Sequence, residues 1–260
     1  MGDRYHAFLQ SLMAYTTIRV PADTRFSPEI MARSVVWLPV VGWIVGGMCA
    51  LTTWGALRLF GPGVSVILGI IVGLLLTGAM HEDGLADVCD GFGGSRDRDA
   101  TLRIMRDSSS GAFGTVAIAV AVAVKVALLM EIVGHGGTRF RWAQPVLVLP
   151  VAHALSRAAA ASFMRTHDYV GGADSKAAIL VHAMSSTRCA MAAAAGVIPL
   201  AVFATPRTAV TVLGAVTVGW LMLGRWFRRR IGGYTGDCLG ATQQITEVLV
   251  YLAVAATWRG

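Results

Sequence analysis

Val64-Ser-Val-Ile-Leu-Gly-Ile-Ile-Val-Gly-Leu-Leu-Leu-Thr-Gly-Ala-Met80 runs directly into His81-Glu-Asp-Gly-Leu-Ala-Asp-Val-Cys-Asp-Gly91. The first stretch has the length and apolarity of a helix that crosses a bilayer core. The second is crowded with carboxylates. Outward from this junction lie six more apolar runs: Trp37 to Leu57, Ala112 to Val133, Ala143 to Phe163, Cys189 to Ala204, Ala209 to Leu223 and Ile245 to Trp258. Hydrophobic residues make up 55% of the chain and charged ones 14%, with a mean hydropathy of +0.62. A soluble domain carries ~25% charged residues, so this balance excludes an ordinary water-soluble globule. Disorder is excluded as well, because so much apolar surface does not stay in water. The expected fold is all-α: a polytopic integral membrane helix bundle of about seven transmembrane helices, one domain over 1–260.

The basic residues test that count. Seven spans alternate the loops between two sides, and fifteen of the 22 Lys and Arg residues fall on one of them. They are Arg4, Arg19, Arg25 and Arg33; Arg96, Arg98, Arg103 and Arg106; Arg165, Lys176 and Arg188; and Arg225, Arg228, Arg229 and Arg230. The other side holds Arg58, Arg139, Arg141, Arg207 and Arg259. Basic loops stay in the cytoplasm, so the expectation is a multi-pass protein of a prokaryotic plasma (inner) membrane with a cytoplasmic N-terminal segment, 1–36. The first apolar run begins only at Val35, after four arginines and three acids, which makes a poor secretory leader. The net charge of +7 then reflects loop anchoring at the lipid bilayer, and no nucleic acid is expected. The four cysteines form no C-x-x-C pair and suggest neither a zinc site nor disulfides. Gly42 with Gly46, and Gly69 with Gly73, allow close helix approach, either within one chain or across a homodimer.

Seven of the 15 acids lie within 26 residues, from Glu82 to Asp107. Asp83, Asp87 and Asp90 are spaced i, i+4, i+7 and share one helix face. Like charges there repel, and a hard divalent cation such as Mg2+ would offset them, bound by one or two carboxylates and by phosphate oxygens. Asp97 and Asp99, inside Arg-Asp-Arg-Asp, are better read as a solvated, paired run, while spacing leaves Asp107 open. Gly91-Phe-Gly-Gly is expected to end the helix and offer N–H groups to phosphate. The segment 81–111 thus reads as an acidic metal and phosphate site at the cytoplasmic side, suited to phosphoryl transfer.

A second polar stretch, 225–244, reads as a glycine-rich cytoplasmic loop in which Thr235, Gly236 and Asp237 supply either a plain turn or a further carboxylate. Glu247 and Arg157 lie near or within spans, where charge is expensive. Lys125 is expected to snorkel or pair, and His153 to be a hydrogen-bonded core histidine.

Together these residues resemble the cobalamin-5'-phosphate synthase (adenosylcobinamide-GDP ribazoletransferase) family. The likeness rests on His81 to Gly91, on Ile104-Met-Arg-Asp-Ser108 with Gly111 and Gly114, and on Gly232 to Ala241. Weaker likenesses are Thr16 to Pro21, Arg33-Ser34 before Trp37, and Ser156-Arg157. The resemblance implies Mg2+-dependent transfer of the cobinamide-phosphate moiety of adenosylcobinamide-GDP to alpha-ribazole or its 5'-phosphate, with release of GMP. It further implies Asp83, Asp87, Asp90 and Asp107 as catalytic metal ligands, Asp107 alternatively as the base. Substrate contacts are implied for His81, Gly91, Arg103, Arg106, Ser108, Arg157, Gly233, Thr235, Gly236, Asp237 and Glu247.

Three residues depart from that pattern. Glu82 replaces a usually apolar residue, Ser109 stands where Arg is common, and Gln244 stands where an acid is frequent. Two rivals remain: a CDP-alcohol-type lipid phosphotransferase, whose Gly-x-x-x-Asp-x-x-x-Asp run is not found after Asp90, and a cation-coupled transporter, whose acids would be expected at mid-bilayer.

Overall fold

The computed structural model describes residues 2–107, 109–134, 145–172 and 184–258. Among them the chain is helical, with one isolated parallel bridge between Tyr169 and Tyr234. The helices are α1 (Asp3–Tyr15), α2 (Pro28–Ser34), α3 (Leu38–Ala56), α4 (Pro62–Thr77), α5 (Met80–Gly94) and α6 (Arg98–Ile104), then α7 (Ala112–Gly134), α8 (Val148–Thr166), α9 (Ser186–Phe203), α10 (Pro206–Ile231) and α11 (Gly236–Trp258). Short 3-10 turns precede α3 and α8.

Local chemistry sets several of these starts. Proline occupies the first turn of α2, α4 and α10, where its missing N–H costs nothing. Ser27, Asp97, Ser185 and Thr205 cap α2, α6, α9 and α10 with side-chain oxygens. Asp97 therefore serves the backbone of α6, and Asp99 pairs with Arg98 at 2.9 Å on the surface.

Six helical segments are long and apolar enough to cross a membrane, and α4 with α5 forms a seventh candidate bent by 87°. The bend follows from Gly78 and Ala79, both left-handed at φ 61° and 56°. Thr17 closes the carbonyl end of α4: its N–H donates to the Leu76 carbonyl at 2.7 Å and its hydroxyl to that of Leu75 at 2.9 Å. Acidic α5 is thereby turned sharply away from the direction of α4.

Six of the seven expected spans are long and apolar enough to cross by themselves, the second only together with α5, and the limits differ at the C-terminal end. α10 runs through the arginines to Ile231, and α11 starts at Gly236, nine residues before the apolar run it contains. The expected loop 225–244 is thus mostly helix, and only 232–235 lies outside α10 and α11. Hydropathy misplaced these limits because the polar residues of α11 face other polar groups inside the bundle.

Alanine-rich α8 is the centre. Its buried face includes Ala152, Ala154, Ala158 and Ala161, which let α3, α9 and α11 approach closely. A Cβ on Gly42 would strike the His153 carbonyl, one on Gly46 would meet Pro150, and one on Gly196 would meet Ala158. Gly69 and Gly73 likewise fit against Thr53 and Cys49. These small-residue spacings serve contacts inside one chain. Exposed Leu75, Val116, Val210, Val218 and Met222 face outward, as lipid contact requires.

Gly42→Leu should lower the unfolding midpoint in detergent by an amount corresponding to ~1–3 kcal/mol of overpacking. Gly47→Leu, whose Cβ meets nothing within 4 Å, should leave it unchanged; thermal unfolding of the two variants compares them.

Candidate active site

The acids of α5 gather where this helix crosses the start of α11. A Cβ on Gly84 would press on the Asp237 backbone and Gly240, and one on Gly240 would approach the His81 carbonyl. Two glycines facing one another thus bring Asp237, in the first turn of α11, beside the aspartate face of α5. Thr235 prepares that turn, since its hydroxyl accepts the Cys238 N–H at 3.3 Å and donates to the Asp237 carboxylate at 3.3 Å. The loop before it is pinned by the bridge to Tyr169, with the Val170 N–H donating to Tyr234 and the Tyr234 N–H to Asp168, both at 2.9 Å. Gly233 fits only because a side chain there would collide with the Asp168 carbonyl.

Asp83 is exposed, and Asp87 and Asp237 are half-buried. Asp87 lies near enough to Asp83, Asp90 and Asp237 for their charges to repel. Among the described residues none of these four forms an ion pair within 4 Å. Asp83, Asp87 and Asp237 thus form an accessible acidic surface without an ion-pair partner among the described residues.

Asp90 has a different duty. Its two carboxylate oxygens accept the backbone N–H groups of Gly111 and Gly114 at 2.8 and 2.9 Å. Those groups belong to the first turn of α7, whose exposed donors need partners, so Asp90 caps a neighbouring helix. Gly111 and Gly114 are glycines because a Cβ at either would collide with the Asp90 carboxylate. Asp107 is exposed and accepts the Ser109 N–H at 2.9 Å and its hydroxyl at 2.7 Å. These bonds hold its carboxyl below the usual aspartate range.

The three aspartates expected from spacing, and the set of four with Asp107 that the resemblance implies, are accordingly not drawn together as one ligand group. Among the described residues no three His, Cys, Asp or Glu side chains are grouped to hold a metal ion. Asp90 and Asp107 are engaged by backbone groups, and Asp237 joins Asp83 and Asp87 instead. The Gly91-Phe-Gly-Gly run ends α5 as expected, at Gly94 and not at Gly91 itself. Gly91 is buried where a Cβ would meet Met105 and the Thr101 carbonyl. It is there for the packing of α6. Arg103 and Arg106 are exposed at the end of α6 and just beyond, with Arg106 reaching toward Gly172. Ser108 lies outside the described residues.

His81, Arg157 and Glu247 fall elsewhere. They line a cavity of about 30 Å³ in the bundle interior with Glu82, Lys125, His153, Gln243 and Gln244. Lys125 Nζ sits 3.0 Å from Glu247 Oε1, and the other Glu247 oxygen accepts from Gln243 at 2.7 Å. Tyr251 donates to Glu247 at 3.0 Å, and Arg157 contacts the His153 ring and carbonyl at 3.0 and 3.1 Å. Lys125 therefore pairs, and His153 is a bonded core histidine. Reading α11 from Ile245 hid this arrangement. Started at Gly236, the helix shows Gln243, Glu247 and Tyr251 at i, i+4, i+8, a polar stripe on one face.

A family model described as cobalamin-5-phosphate synthase matches residues 7–255. The chain belongs to the cobalamin-5-phosphate synthase family. An adenosylcobinamide-GDP ribazoletransferase of Ralstonia pickettii (strain 12J) is 41% identical over 257 residues, covering 98% of this chain and 97% of the relative. Proteins of the same name from Shewanella amazonensis and Vibrio cholerae are 40% and 37% identical, each over 96% of this chain and at least 93% of the relative. No solved structure matches the chain. Membership in this family displaces both the CDP-alcohol phosphotransferase and the transporter readings.

Because Asp90 caps α7, Asp90→Ala should cost ~1–3 kcal/mol by leaving two donors unpartnered and visibly lower the detergent unfolding midpoint. Asp83→Ala, at an exposed position, should leave the midpoint unchanged, so thermal melts separate the capping acid from the accessible ones.

Proposed function

We propose that this protein transfers the cobinamide-phosphate group of adenosylcobinamide-GDP to alpha-ribazole or alpha-ribazole 5'-phosphate, in the final steps of cobalamin biosynthesis. A ribose hydroxyl oxygen forms a bond to the phosphorus that carries cobinamide, and the bond from that phosphorus to GMP breaks. GMP leaves, a phosphodiester remains, and the hydroxyl proton is released. Full-length similarity to ribazoletransferases supports this reading. The observation that carries it is the accessible acidic surface of Asp83, Asp87 and Asp237, which lacks any ion-pair partner among the described residues.

The donor chemistry of that surface fits Mg2+. Hard carboxylate oxygens suit the ion, and Mg2+ is usually held by one or two carboxylates with waters and substrate phosphate oxygens, so no closed protein cage is needed. Asp83, Asp87 and Asp237 would supply the one or two carboxylates that hold it, and when bound it would supply charge neutralisation on the diphosphate. Arg103 and Arg106 complement phosphate charge from α6 and the turn after it. Asp107, whose carboxyl is held below its ordinary range by Ser109, is a weak proton acceptor and serves better as a fixed anion than as the base. The arginine distribution supports a cytoplasmic orientation for this end of the bundle, in the inner membrane of a prokaryote.

Purified protein given adenosylcobinamide-GDP and alpha-ribazole 5'-phosphate should release GMP with Mg2+ and not with EDTA. Asp83→Asn, Asp87→Asn and Asp237→Asn should each reduce kcat by about 100-fold or more. Asp97→Asn, which keeps a capping oxygen for α6, should remain within about threefold of the parent. Metal-independent turnover would remove Mg2+ from this scheme, and an inert Asp237→Asn would detach α11 from the site.

A further inference from the structure

Four charged side chains lie together in the bundle interior. Lys125 and Arg157 are cations at 5% and 1% exposure, Glu247 is an anion at 3%, and Glu82 is half-buried on α5. Lys125 of α7 pairs with Glu247 of α11, and Arg157 of α8 contacts His153, whose Nε2 lies 3.9 Å from Glu247. Glu82 is attached by Gln244, whose amide oxygen accepts from Lys125 Nζ at 2.7 Å and whose amide nitrogen donates to Glu82 Oε1 at 2.8 Å. The same nitrogen donates to Gln243 at 2.7 Å, and Gln243 donates on to Glu247. Glu247, Lys125, Gln244 and Glu82 therefore form one hydrogen-bonded chain from α11 to α7, back to α11 and on to α5.

Charge bookkeeping makes Glu82 necessary to this chain. Without it, two buried cations would share one carboxylate, and an uncompensated charge inside a bundle is strongly destabilising. Two further details tie Glu82 to the interior. Its Oε2 and Arg157 Nε are buried without a hydrogen-bond partner, and both residues line the same cavity of about 30 Å³, roomy enough for a bridging water. Glu82 is also the immediate neighbour of Asp83, about 100° round the same helix. Whatever fixes Glu82 fixes the rotation of the acidic face.

We propose that the Glu247–Lys125–Gln244–Glu82 chain is a positioning device that sets the rotation of α5, with Glu82 as its anchoring carboxylate. The kinetic part of this claim rests on the reaction proposed above. The chain touches no substrate. Its carboxylate anchors α5 from one end of a single hydrogen bond, so the charge can be moved to the other end of that bond, onto residue 244, where it would still compensate Lys125.

The test is a charge swap. Glu82→Gln leaves two cations against one carboxylate, and Gln244→Glu sets two carboxylates against each other; each should lower kcat for GMP release by about tenfold, or ~1.4 kcal/mol. KM for both substrates should stay within about threefold. The double variant Glu82→Gln with Gln244→Glu should recover kcat to within about threefold of the parent. Parental kcat in both single variants, or a double variant no better than the product of the two, overturns the proposal. The same cycle read on thermal unfolding in detergent is independent of the reaction assignment. If the parent protein releases no GMP, the reaction proposal fails by itself, and absence of Tm rescue in the double variant then overturns the brace.

Discussion

The crossing of α5 and α11 at Gly84 and Gly240 is the constraint on which the rest of the molecule turns. Only hydrogen atoms stand between the two backbones there, so the helices approach far closer than ordinary side chains permit. That approach places Asp237 beside Asp83 and Asp87 on one side of α5 and brings Gln244 to Glu82 on another. A bulky residue at either glycine would separate the acidic surface and the interior polar chain together. The surface chemistry and the buried electrostatics therefore share one mechanical origin.

Aspartates of one sequence motif do different work once the helices are assembled. Asp83 and Asp87 stay accessible, while Asp90 supplies oxygens to the first turn of α7, whose donors have no partners of their own helix. A buried backbone donor left without a partner is costly. A carboxylate from a neighbouring helix meets that need and also fixes where α7 starts relative to α5. Gly111 and Gly114 follow from the same contact, because the Asp90 carboxylate occupies the space their side chains would take.

The interior shows the complementary economy of charge. Lys125, Arg157, Glu247 and Glu82 are too costly to bury singly; the amides and the tyrosine hydroxyl of α11 bond Lys125, Glu247 and Glu82, and His153 of α8 bonds Arg157. Gln243, Gln244, Ser156 and Tyr251 spread those charges over a network that spans the bundle. Such a network also explains why α11 tolerates so polar a first half within the membrane-spanning region.

How much of this was written in the chain depends on the kind of interaction. Apolar runs, the arginine bias and the i, i+4, i+7 aspartates are local or additive signals, and they were enough for an all-α membrane bundle with an acidic site after the second span. The motif around Gly232 to Ala241 marked the segment that the structure sets against α5. Local signals could not say that α4 and α5 part at 87°, that Asp90 is taken up by α7, that Gly91 packs against α6, or that Asp237 completes the accessible set. Nor could they extend α11 back to Gly236, because hydropathy scores a glutamine as exposed to lipid when it in fact faces a lysine. Sequence by itself determined which segments are apolar enough to cross a membrane and where the acids crowd together. Tertiary structure alone decided which carboxylates remain free and which meet, since Asp90 finds its partners on another helix, at Gly111 and Gly114, and Asp237 reaches α5 only across a glycine contact.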